Sequence, residues 1–178
     1  MSVVNEDYAI VSNWAVSEID QAISEGLVDP ILVEDYSKPI TRLAFCNMNA
    51  ELIKRVNPEV NSIPLLDTAS STAKDECENC AEAPYEEMTR EQAAVMIAHS
   101  VDLTCLLDEN FDPFTVLSVY EDAGEITSDA VWAVAALVDL GIYKGTGDGK
   151  LAPTKIATVE QAVSWLVRTS ALYENRVK

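Results

Sequence analysis

Apolar residues recur at intervals of three and four in five stretches of the chain, and each stretch predicts an amphipathic helix. In "SNWAVSEIDQAISEGLV" the stripe is Trp14, Ala15, Ile19, Ala22, Ile23 and Leu27. Ser12 or Asn13 is placed to cap its start and Gly26 to end it. In "TRLAFCNMNAELIKRV" the stripe is Phe45, Met48, Leu52 and Ile53. "TREQAAVMIAHSVDL" buries Met96 and Ile97, and "TVEQAVSWLVRTSALY" buries Ala162, Trp165 and Leu166. The fifth stretch, "SDAVWAVAALVDLGIYKG", carries Ala130, Val134, Leu137, Val138 and Gly141. No run has the strict alternation of a half-buried strand, so the expected class is all-α.

The pattern repeats. Aligning Gly141 with Gly26 puts Val134 on Ile19, Ala130 on Ala15 and Asp129 on Trp14. The phrases "ITRLA", "MTREQ" and "ATVEQ" each open a helix with a threonine, Thr41, Thr89 and Thr158, placed to cap it. Thr89 and Gln92 have capping-box spacing. Residues 1–178 are expected to form one domain of three repeats, 8–57, 62–103 and 119–173. The middle repeat is eroded, because its upstream segment has almost no apolar periodicity. Residues 104–128 read as a long connection with little regularity beyond "FTVLSVY".

Composition narrows the function. Thirty acids against 12 Lys plus Arg give a formal charge of -18. Direct contact with nucleic acid or an anionic membrane is excluded, since phosphate contacts need cations. From Glu91 to Tyr143 there are ten acids and no Lys or Arg. One histidine, no nucleophile elbow and no spaced carboxylate pair point to a non-enzyme without a cofactor. Cys77 and Cys80 form a C-x-x-C, but no second ligand pair completes a zinc site. Unpaired thiols are the plain expectation, with a redox pair or disulfide between Cys77 and Cys80 as the alternative. Cys46 and Cys105 lie in apolar, helical-looking stretches. The N-terminus "MSVVNEDYAI" has no signal-peptide pattern, and no apolar run is long enough to span a membrane.

"YEDAGEITSDAVWAVAALVDLGIYKGTGDGKLAPTKIATVEQAV" resembles a whole S-layer homology (SLH) repeat. It has an acid before the first helix, "LGI-x-x-G", "GDG-x-x-x-P" and a threonine-led second helix. "WAVSEIDQAISEGLV…ITRLAFCNMNAEL" resembles another, and the likeness spans roughly 8–172. The resemblance implies an all-helical, pseudo-threefold prism with one inner helix per repeat. It also implies binding of a pyruvylated secondary cell-wall polymer in grooves between repeats, holding a protein at the bacterial surface. The implied ligand contacts are Trp14, Arg42, Arg90 and the loop around Asp148. Val159 stands where the third arginine belongs, and Asp129 where the third repeat needs its tryptophan. The acid that follows the arginine in the family is Ala44, Gln92 and Gln161 here. At least one groove is therefore expected to be inactive.

A second reading starts from the charge. An acidic face of Asp102, Asp108, Glu109, Asp112, Glu121, Asp122, Glu125 and Asp129 would attract a basic protein, such as a nucleic-acid enzyme. Phage-borne inhibitors of host nucleases, CRISPR nucleases among them, occupy nucleic-acid channels in this way. The first reading places the protein at the cell surface, as a fragment of an exported chain. The second places a complete chain in the cytoplasm.

Overall fold

The computed structural model describes residues 2–5, 8–28, 35–56 and 83–176, which fall into two units, residues 1–88 with 158–178 and residues 89–157. The described residues are mostly helical, with six α-helices and a single two-stranded hairpin.

The first unit begins with that hairpin. β1 (Ser2–Asn5) runs antiparallel to β2 (Tyr8–Ser12), with Val3 opposite Val11. Three helices follow: α1 (Val16–Ser24), α2 (Arg42–Val56) and α6 (Val159–Arg176). Both α1 and α2 pack on α6. The expected stripes supply the core here, through Ala15, Ile19, Ala22, Leu27, Phe45, Leu52, Ala162, Trp165 and Leu166. Trp14 leaves the α1 stripe and is exposed, while Ile23, Met48 and Ile53 are half-buried. Ala15, not Ser12 or Asn13, is the N-cap of α1, and no side chain caps it. The Ser12 carbonyl accepts the Ala15 N–H instead.

The second unit holds α3 (Arg90–Ser100), α4 (Pro113–Leu117) and α5 (Val131–Asp139), with 3₁₀ turns at Thr104–Leu106 and Ala123–Glu125. α5 packs against both α3 and α4. Its residues Ala133 to Leu137 are all buried, which is why the segment reads as apolar almost all round. Ile97 is buried as expected, but Met96 is only half-buried.

α1 and α5 end alike. Gly26 and Gly141 have φ of 71° and 70°, and the next residue's N–H reaches back to Ala22 O or Leu137 O. This left-handed closure favours glycine.

The three threonine-led helices also start alike. Thr41 Oγ1 accepts from Ala44 N, Thr89 Oγ1 from Gln92 N and Thr158 Oγ1 from Gln161 N, at 3.3, 3.3 and 3.4 Å. Gln92 and Gln161 return the bond to the threonine N–H, which Ala44 cannot do. The next two amides of each helix donate to carbonyls of a turn elsewhere in the same unit. Arg42 and Leu43 reach Glu86 O and Pro84 O; Arg90 and Glu91 reach Lys155 O and Pro153 O; Val159 and Glu160 reach Lys38 O and Tyr36 O. The first-turn N–H groups, which have no partner inside a helix, are thus satisfied three times by one device.

The cysteines depart from the expectation of unpaired thiols. Cys46, buried on α2, is disulfide-bonded. Cys105 is an exposed thiol in a 3₁₀ turn, donating to Asp102 O. Cys77 and Cys80 lie outside the described residues, as does the eroded segment 62–82.

Candidate ligand-binding residues

The residue two places after each capping threonine is Leu43, Glu91 or Glu160. The two glutamates are buried and tie their helices to the lead-in of a first helix. Glu160 accepts from both the backbone N–H and the hydroxyl of Ser12, at 3.0 and 2.9 Å. Glu91 accepts from the Thr127 N–H at 3.0 Å. Ser12 and Thr127 are equivalent under the Gly26/Gly141 alignment. Sequence reasoning placed the acid one position later and missed both; the signal was the Glu shared by "TREQ" and "TVEQ".

The two junctions keep different halves of the expected ligand set. In the first unit, exposed Trp14 lies two residues past Ser12, and Val159 precedes Glu160. In the second, Arg90 precedes Glu91, and exposed Asp129 lies two residues past Thr127.

Arg90 is only 4% exposed. Its Nε donates to Tyr143 Oη at 3.1 Å and Leu151 O at 3.0 Å, and Nη2 donates to Lys144 O at 3.0 Å. Its guanidinium also lies 4.6 Å from the centre of the Tyr143 ring. Burial pushes the Tyr143 phenol up to about 12, against the opposing pull of the Arg90 charge and hydrogen bond.

Asp122, expected on the acidic surface, is buried at 8% exposure. Its carboxylate accepts from Leu151 N at 2.9 Å and Ala152 N at 2.7 Å. Ala152 holds φ of 52°, uncommon for a residue with a side chain. Arg90 and Asp122 therefore clamp the two ends of the 144–152 loop. Gly145 closes it: a β-carbon there would lie 2.5 Å from Lys150 O. Asp148 sits at the exposed tip, where the Thr146 hydroxyl bonds it and, with smaller contributions, lowers its pKa.

Arg42 differs from Arg90. It is half-buried, and its Nε is shielded from solvent with no hydrogen-bond partner among the described residues. A buried donor in that state is costly unless an acceptor beyond the described residues takes its hydrogen bond. Arg42 and Trp14 belong to the first unit, Arg90 and Asp148 to the second.

The remaining acids of the expected acidic face are exposed. Three of them build local turns. Asp102 binds Thr104, Asp108 binds Asn110, and Asp112 caps α4 through Phe114 N and Thr115 N. The Thr104 hydroxyl, the Asn110 amide and the Thr115 hydroxyl are the leading causes that hold these carboxyls below the usual range. Glu109, Glu121, Glu125, Asp129 and Asp139 are the other exposed members of the run. No group of three or more metal-ligating side chains and no membrane-length apolar helix occurs among the described residues.

Residues 120–165 match the family model of the S-layer homology domain. The match is confined to this stretch and is consistent with an S-layer homology domain there. The SLH match covers the Asp122 clamp, α5, the 144–152 loop and the start of α6. No curated protein matches the chain. SLH domains as a family are non-catalytic modules that bind secondary cell-wall polymers, so the match supports a wall-binding module with cell-surface association. It lends nothing to the nuclease-inhibitor reading.

Proposed function

We propose that this protein is a non-catalytic SLH module that binds anionic secondary cell-wall polymer and holds a protein at the bacterial surface. The SLH match over 120–165 carries the reading. The threefold recurrence of the helix-start device supports three repeats, at 8–57, 62–103 and 119–173. Arg42 is the chief ligand contact in this reading. A guanidinium fork suits the carboxylate of a pyruvyl group, and its Nε is a buried donor in want of an acceptor. Arg90 serves the loop instead, and Val159 offers no charge. The Cys46 disulfide favours an oxidising compartment, as expected of an exported protein.

The test is sedimentation with purified Gram-positive sacculi, native and stripped of pyruvyl groups. The protein pellets with the native sacculi and stays in solution with the stripped ones. Failure to pellet with native sacculi removes the reading.

A further inference from the structure

The second unit exposes aromatic side chains that no fold-level role explains. Phe114, on α4, is 75% exposed, and Val119, just past α4, is 73% exposed. Phe111, three residues before Phe114, meets the partly exposed Trp132 of α5 edge-to-face, with ring centres 6.4 Å apart at 81°. Phe111 and Trp132 are in contact, and α4, which carries Phe114, packs against α5, which carries Trp132. Exposed apolar groups gathered in this way mark interaction surfaces more often than single exposed residues do.

The surrounding charge selects the occupant. Asp108, Glu109 and Asp112 border the Phe111–Phe114 segment, and Glu121 follows Val119 by two residues. No Lys or Arg occurs between Glu91 and Tyr143 to neutralise them. A second copy of the chain, with its own formal charge of -18, is repelled, and so is an anionic polymer. A basic polypeptide segment with apolar side chains suits the face. Its Arg or Lys heads would lie over the rings and beside the carboxylates, while its apolar groups cover Phe114 and Val119.

We propose that the Phe111–Phe114–Trp132 face of α4 and α5 is a docking surface for a basic, amphipathic segment of a second protein. The proposal stands apart from wall binding, which it places elsewhere on the chain.

The probe is a synthetic 12-residue Arg/Leu peptide, compared with Arg/Ser and Glu/Leu peptides of equal length. Binding is read by anisotropy and by the indole N–H resonance of Trp132. The Arg/Leu peptide binds and shifts the Trp132 signal. Phe114→Ser weakens it by about tenfold, in a protein whose melting temperature is unchanged because Phe114 is exposed. Glu109→Lys slows association chiefly at low salt. Equal binding of the Arg/Ser peptide, or no effect of Phe114→Ser, overturns the proposal, because charge alone would then explain it. So does a Phe114→Ser protein that loses sacculus binding, or a wild-type dimer that this substitution dissolves.

Discussion

The Asp122 carboxylate accepts two amide protons inside the protein, one of them from a residue at positive φ. Asp122→Ala leaves both amides without an acceptor. It is expected to destabilise the protein by about 2–4 kcal/mol, read from urea melts. Arg90→Ala falls in the same range, because three donated bonds disappear from a buried site. Arg42→Ala removes a side chain whose Nε has no hydrogen-bond partner among the described residues and leaves the melt essentially unchanged. Tyr143 adds a pH signature. Its folded pKa is raised from 10.0 to about 12, so the associated stability is whole below pH 10 and lost as pH rises towards about 12. Tyr143→Phe flattens that alkaline decline. None of these roles was legible from the sequence. Asp122 looked like one more acid in an acidic run, and Arg90 had the same prefix as Arg42. Burial, which separates them, depends on the chain folding the 144–152 loop back over both.

At the level of elements the sequence was far more informative. The helices starting after Thr41, Thr89 and Thr158, and those ending before Gly26 and Gly141, lie where periodicity and end signals put them. Such signals are local, and the structure satisfies them locally. What failed was face assignment for some members of the stripes. Trp14 and Met96 fit a stripe by spacing, yet Trp14 lies just before α1 and is exposed, and Met96 is only half-buried. The β1–β2 hairpin gave no alternating pattern to read. Two expectations follow for the elements. Thr89→Ala removes the hydroxyl that accepts the Gln92 N–H, the side-chain half of the α3 capping box, and costs about 1 kcal/mol in thermal melts. Gly145→Ala forces the loop backbone away from Lys150 O and costs about 1–3 kcal/mol by the same measurement.

Over the whole molecule, a formal charge of -18 opposes an anionic wall polymer at long range, so the proposed contact would be made by a few well-placed donors. Raising ionic strength shortens the Debye length to about 8 Å near 0.15 M and relieves that repulsion. Sacculus binding is therefore expected to strengthen from low to moderate salt, the reverse of a basic phosphate binder. The likeness to the SLH family was legible in the sequence because "LGI-x-x-G", "GDG-x-x-x-P" and the threonine-led helix occur together in 120–165, the stretch that the family model matches. The difference between the two arginines was not, since it depends on which buried donors find acceptors. The most direct measurement is the affinity of Arg42→Ala for native sacculi, beside wild type and with folding checked by melting temperature. The account predicts a loss of at least about tenfold at an unchanged melt, as expected when a charge-assisted bond to ligand is removed. Wild-type affinity in folded Arg42→Ala would contradict it.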